Sequence, residues 1–317
     1  MPRLSEFDLI KTLFAPLAAN KAALGLTDDV ALLAPPAGQE LVLTTDAVLE
    51  GVDFFADDPP FAIAQKALRV NLSDLAAKGA KPFGYLLMLA LPKRIDMTWL
   101  KAFARGLASD QKEFGITLLG GDLSATPGPL TISVTAFGYV PKGKAILRRG
   151  ARLDDRVFVT GTIGDSGAGL AALKAKRRTA ALVSRYRVPQ PRVALGRRLR
   201  GIASAALDVS DGLLADLGHI ADVSKVHVVV DAARVPLSPA VRKLWGAEAV
   251  LHAVTAGDDY EIAFTAPLAK RAQVFAAAKA TGTPVTEIGW VMKGRAVALM
   301  GADGRPIPVG KKGWEHF

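Results

Sequence analysis

Apolar and polar positions alternate along the chain in two periods, one suited to short strands and one to amphipathic helices. Residues 40–46 (ELVLTTD) are rich in β-branched side chains and predict a strand. Residues 61–78 repeat their apolar positions at helical spacing and stop at Gly79, a residue suited to the position just past a helix. Residues 84–91 read as a buried strand ended by Pro92, and 99–114 as a second amphipathic helix. A strand at 116–119 runs into Gly120-Gly121-Asp122, and a long one at 131–140 ends at Pro141. A basic, glycine-containing connector follows (KGKAILRRGARLDD) and marks a domain boundary near residue 150. Domains of 1–150 and 151–317 are therefore expected. Beyond the connector, strands are expected at 156–160, 205–209, 226–230, 261–265 and 287–291, with helices opening near Asp165 and Asp211. Strands and helices alternate in both halves, so the class is α/β or α+β.

Composition narrows this picture. With 317 residues, half of them hydrophobic and 22% charged, the chain can bury a large core. Its longest apolar run, near 83–92, is far short of the roughly 20 residues that span a bilayer. The start, MPRLSEFDLIKTLF, places Glu6 and Asp8 among apolar positions and reads as an amphipathic helix rather than a signal peptide. The absence of cysteine excludes disulfides, thiolate metal sites and cysteine catalysis, and a cytoplasmic location is expected. The net charge of +10 sits almost wholly in the second half, and residues 174–200 hold ten basic residues and no acidic one. That stretch is either a solvated helical surface or a face for an anionic partner. Its single aromatic residue, Tyr186, speaks against a site for single-stranded nucleic acid.

The candidate chemistry lies in aspartates beside apolar elements. Asp29 precedes VALLAPP, Asp46 closes LVLTTD, Asp74 sits in NLSDLAAKGA, Asp122 follows two glycines, Asp208 closes SAALD and Asp211 stands three residues later. Taken singly, each has a plain alternative: Asp211 as a helix cap, Asp122 in a turn, Asp74 paired with Lys78. Taken together, carboxylates on apolar elements are tolerable if cations neutralise them. Oxygen donors without cysteine or a histidine cluster suit a hard cation such as Mg²⁺, the usual helper in phosphoryl transfer. GTIGDSGAG (161–169) could hold an anion at a helix N-terminus or simply make a tight turn, and it lacks the Walker A ending.

An ordered series of motifs covers almost the whole chain: DDVALL (28–33), TTD (44–46), NLSDLAAKGA (71–80), GGD (120–122), GDSGAGL (164–170), DVSDGLLADLGHI (208–220), GDDYEIAFT (257–265) and GWEHF (313–317). The series resembles the thiamine-monophosphate kinases, within the superfamily that includes aminoimidazole ribonucleotide synthetase. The resemblance implies an ATP-dependent transfer to thiamine phosphate, several Mg²⁺ ions, and a homodimer that pairs N-terminal sheets. Its C-terminal domain would be α/β. Membrane and nucleic-acid partners are not expected. It implies metal contacts at Asp29, Thr44, Thr45, Asp46, Asp74, Asp122, Asp208 and Asp211. ATP contacts would fall at Gly121, Asp122, Arg148 and Ser210, and substrate contacts at Asp53, Asp258 and Trp314. The chain departs from the family pattern at Thr27, at Asp53 where histidine is common, and at Ala256 and Asp258. The departures at 53 and 258 touch implied substrate contacts rather than metal ligands. Superfamily relatives that need a reactive cysteine are excluded. Aminoimidazole ribonucleotide synthetase stays open on superfamily grounds but does not explain GWEHF, and the other alternative is a non-catalytic nucleotide- or nucleic-acid-binding protein using the basic stretch 174–200, against which the intact metal positions argue.

Overall fold

The computed structural model describes residues 5–28, 30–177 and 179–314. The chain forms two units, residues 1–75 with 81–143 and residues 76–80 with 144–317. The end of one helix, residues 76–77, belongs with the second unit.

The first unit runs α1 (Glu6–Leu9), β1 (Gln39–Leu49), α2 (Pro60–Ala77), β2 (Lys81–Pro92), α3 (Met97–Phe114), β3 (Thr117–Thr126) and β4 (Thr131–Pro141). Its sheet has the order β1-β4-β2-β3. Strand β4 is antiparallel to β1 and β2, while β2 and β3 run parallel. A parallel pair needs a crossover, and α3 supplies it. Asp96 caps α3 by accepting from the N–H of Trp99 at 2.7 Å, and Gly115 ends it with φ 65°. The core joins Leu68, Leu72 and Leu75 of α2 with Phe103 and Leu107 of α3, and with Leu87, Leu89, Ile132 and Val134 of the sheet. Between the helices the buried Arg69 guanidinium forks onto Asp110, with both contacts at 2.8 Å.

Three expectations shift here. Strand β1 continues past Asp46 to Leu49, because β4 pairs with it over its whole length. Strand β3 does not stop at Leu119 but runs through Gly120-Gly121-Asp122. A side chain at Gly121 would place its Cβ 1.8 Å from the Leu87 carbonyl oxygen, so glycine is what lets β3 close on β2. At the start of the chain, α1 spans only four residues before a wider π-type turn over Ile10–Phe14 that buries Leu13 and Phe14.

The second unit runs β5 (Arg156–Thr160), α4 (Asp165–Lys174), α5 (Ala180–Arg187), α6 (Val193–Leu199), β6 (Ala205–Asp208), α7 (Leu213–Ser224), β7 (Val226–Asp231), α8 (Pro239–Trp245), α9 (Ala249–Thr255), β8 (Ile262–Ala266), α10 (Arg271–Thr281), β9 (Val285–Lys293) and β10 (Ala296–Met300). Its six strands have the order β10-β7-β9-β5-β8-β6. Both faces of this sheet are covered, which is why its strands read as continuous apolar runs. Val157 and Val159 of β5 join one core with Leu207, Leu213, Leu217 and Val230. Phe158 joins the other with Phe264, Leu195, Leu199 and Val274. The segment 76–80 is held here by Lys78, whose Nζ donates to the Ala206 carbonyl at 2.8 Å. Among the described residues no helix is long and apolar enough to cross a membrane.

Candidate active site

In the first unit, α2 lies beside the β1 strand and meets it through one face. Asn71 and Asp74 are three residues apart, so they share that face. The Asn71 amide oxygen accepts the Asp46 N–H at 3.1 Å, and its amide nitrogen donates back to Ala67. The Thr44 hydroxyl donates to the Asp74 carboxylate in a short hydrogen bond. NLSD therefore pins the strand and brings a second carboxylate to it. Burial pushes the Asp46 carboxyl up to about 6, and the charges of Asp74 and Asp53 push it in the same direction. Asp53 is fixed nearby: its carboxylate accepts the Leu49 N–H at 2.7 Å, and its carbonyl accepts from the buried Lys66 ammonium at 2.7 Å. Thr45 points to the other side of the strand, where it donates to the Val134 carbonyl and accepts from Thr135. Asp29 lies outside the described residues.

Asp122 does not join this set within one chain. Strand register puts Asp46 opposite Val134, Val134 opposite Leu87, and Leu87 opposite Gly121. Asp46 and Asp122 are thus nearly level, but on opposite edges of the sheet. Three inter-strand steps separate them by roughly 14 Å. Asp122 is exposed and accepts from the Ser124 hydroxyl at 2.8 Å. Next to it, Leu123, Leu91, Arg94 and Ile95 line a cavity of about 880 Å³, a size typical of small-molecule sites.

In the second unit, the loop after β6 carries the other expected residues. Asp208 is buried at the strand end. The N–H groups of Ser210, Asp211 and Gly212 all donate to the Asp216 carboxylate, each at 3.1 Å. Asp211 is not the cap of α7, since Gly212 stands at that position; Asp216, one turn into the helix, folds back to tie down the preceding loop. Sequence reading missed Asp216, although DGLLAD held the signal of an acid one turn past a loop. Burial raises its carboxyl to about 7, as does Asp211, while the Gly212 and Asp211 N–H groups and Arg148 pull it down. Asp211, Asp216 and the exposed His219 bring possible metal-binding atoms within 4.8 Å of one another. The Asp216 oxygen already accepts three N–H groups, which makes it the least available of the three.

The remaining residues close on the same loop. The Asp258 N–H donates to the Ser210 carbonyl at 2.7 Å, and the Trp314 N–H to the Asp211 carbonyl at 2.9 Å. A Cβ at Gly313 would stand 2.6 Å from the Asp211 carbonyl oxygen, so the glycine of GWEHF permits the close approach. Trp314 is 57% exposed beside Asp211, with the Lys311 ammonium 5.9 Å from its ring centre. The glycine-rich turn is not an open anion site: the buried Asp259 carboxyl occupies the N-terminus of α4 by accepting from Gly164 and Ser166.

A two-unit α/β chain with acidic strand ends in one unit and an acid-rich loop in the other defines a class. Residues 27–140 match the family profile "AIR synthase related protein, N-terminal domain", and 152–301 match the corresponding C-terminal domain. The chain is 44% identical to a thiamine-monophosphate kinase of Caulobacter vibrioides, over 98% of this chain and 91% of that protein. A crystal structure of the Stenotrophomonas maltophilia thiamine-monophosphate kinase superposes with a TM-score of 0.86 at 41% identity, covering 96% of this chain and 98% of that one. The structure of AaThiL complexed with AMPPCP and TMP superposes with a TM-score of 0.80 at 32% identity, covering 100% and 99%. The chain belongs to the thiamine-monophosphate kinase family.

Proposed function

We propose that this chain transfers the γ-phosphoryl group of ATP to the phosphate of thiamine monophosphate, giving ADP and thiamine diphosphate. The observation that carries the reading is the cluster of Asp46, Asp74 and Asp53, in which burial and the neighbouring charges raise the Asp46 carboxyl, in a chain of this family. In the reaction an oxygen of the acceptor phosphate forms a bond to the γ-phosphorus as the bond to the β,γ-bridging oxygen breaks and ADP leaves. No protein nucleophile is needed, so the chain's task is to position and to neutralise.

The donor set fits Mg²⁺. Thr44, Asp46 and Asp74 offer only oxygens, and Asp46 carries a proton affinity raised by burial and then by like charges, the second of which a cation would relieve. Asp46 and Asp74 would hold the ion, with Asp29, Thr44, Thr45, Asp122, Asp208 and Asp211 as further candidates. When bound, Mg²⁺ supplies neutralisation of the phosphate charge. Arg148 and Ser210, with Gly121 and Asp122, are read as the nucleotide contacts, and Asp53, Asp258 and Trp314 as those to the acceptor. The position of Asp122 supports a homodimer. If it serves the same phosphates as Asp46, a second copy must bring it, and sheet-to-sheet pairing would do so. A cytoplasmic location accords with ATP as co-substrate.

A coupled ADP-release assay compares thiamine phosphate with thiamine and an aminoimidazole precursor, each with Mg²⁺ and with excess EDTA. Turnover confined to thiamine phosphate with Mg²⁺ is expected. Turnover only with another acceptor would move the chain elsewhere in the superfamily.

A further inference from the structure

We infer that Arg185 and Arg192, in the basic stretch 174–200, are positioning residues for the phosphoryl acceptor: through Glu261 they hold the turn that presents Asp258. The inference rests on reading Asp258 as an acceptor contact.

The turn is unusual backbone. Asp258 and Tyr260 both have left-handed φ, at 69° and 51°, and neither is glycine. Side chains disfavour that region, and such residues persist when their surroundings over-determine them. The surroundings are visible. The N–H groups of Asp258 and Tyr260 donate to the carbonyls of Ser210 and Val209 at 2.7 and 2.8 Å. The Tyr260 hydroxyl donates to the Asp258 carboxylate at 3.2 Å. Between them the Asp259 side chain is buried against the N-terminus of α4. These contacts fix one end of the turn to the acid-rich loop.

Glu261 fixes the other end. It is fully buried and accepts from the Thr160 hydroxyl at 2.5 Å. Arg192 forks onto it with Nε and Nη2 at 2.6 and 2.5 Å, and Arg185 adds a contact at 2.8 Å. Arg185 also reaches the Asp259 carbonyl at 3.3 Å, so one guanidinium spans the turn. Gly161 lies beneath: a Cβ there would sit 2.1 Å from the Glu261 carboxylate. Burial works against the Arg192 charge, yet its hydrogen bond and charge pairing with Glu261 hold its pKa above the ordinary value. Two guanidiniums converge on this one buried carboxylate, beside the buried Asp259. They make a bracket, built by α5 and the residue before α6, on the turn that carries Asp258. The stretch therefore has a task beyond solvation, carried by two of its ten basic residues.

The test uses the full-length enzyme in steady state. Arg192→Lys keeps the charge but loses the planar fork. It should raise KM for thiamine phosphate about tenfold while KM for ATP changes less than about twofold, since a small misplacement acts on one substrate. Arg185→Lys should shift the same constant in the same direction and serves if Arg192→Lys does not fold. Arg198→Ala, at an exposed position of the stretch, should change neither constant. Unchanged acceptor KM in the lysine variants overturns the inference. So does an equal rise in both constants, or a loss of activity that only follows the loss of folded protein. A wild-type chain that ignores thiamine phosphate overturns the functional reading, and the inference falls with it.

Discussion

Two acidic regions of this molecule treat their carboxylates in opposite ways. In the first unit Asp46 stands with Asp74 and Asp53, and like charges add to burial in raising its pKa. In the second, Glu261 is more deeply buried but is met by two guanidiniums and a hydroxyl. A satisfied buried acid is scaffolding, because every lone pair already has its donor. An acid left facing other acids destabilises the apo fold, and a cation from outside must neutralise it. The contrast separates site from support where burial alone would not.

The largest effect should follow from Asp46→Asn. On the proposed reading this removes a carboxylate that holds the cation and should lower kcat by about a thousandfold or more. The same change removes like-charge repulsion, so the melting temperature of the metal-free protein should hold or rise. Near-normal turnover in the ADP-release assay would remove Asp46 from the site. Glu261→Gln should do the reverse. It leaves two part-buried guanidiniums without their anion and should cost about 3 kcal/mol, read as a marked drop in melting temperature. Equal melting temperatures for wild type and Glu261→Gln would dissolve the distinction drawn above.

Gly161→Ala should be milder but still destabilising, by about 1–3 kcal/mol, since φ is 58° and the new Cβ meets Glu261. Arg192→Met in the same background should ease the clash, and strictly additive melting shifts would argue against contact between the two sites. The remaining effect is a pH slope. Burial raises the Asp259 carboxyl to about 8, opposed by the Gly164 and Ser166 N–H groups and Arg185. Its unfolded value is about 3.9, so between these pH values the native state binds the extra proton. Its contribution to stability is present below about pH 4 and is lost as pH rises towards 8. Asp259→Asn should flatten that part of the profile, measured as melting temperature against pH; an unchanged slope would assign it to other groups.

The residues of the site were legible as residue types on apolar elements, and the motifs gave them a family. The plain alternatives for two of them failed in the fold for identifiable reasons. Asp122 serves no turn, because β2 and β3 pair straight through Gly120-Gly121. Asp211 caps no helix, because the chain enters α7 one residue later, at Gly212, and no side chain caps it. The basic stretch was legible only as charge, since the partner of Arg185 and Arg192 lies some seventy residues away in sequence.

By itself the sequence determined the alternation of strands and helices, the two-part organisation, the exclusion of thiol chemistry and the family of the chain. These follow from periodicity, composition and local motif, which short stretches carry. Only the tertiary structure decided which acids face other acids and which face arginines. It also decided that Asp46 and Asp122 occupy opposite edges of one sheet, and that an aspartate fills the glycine-rich turn. Strand order and long-range pairing set those facts, and no local pattern encodes either.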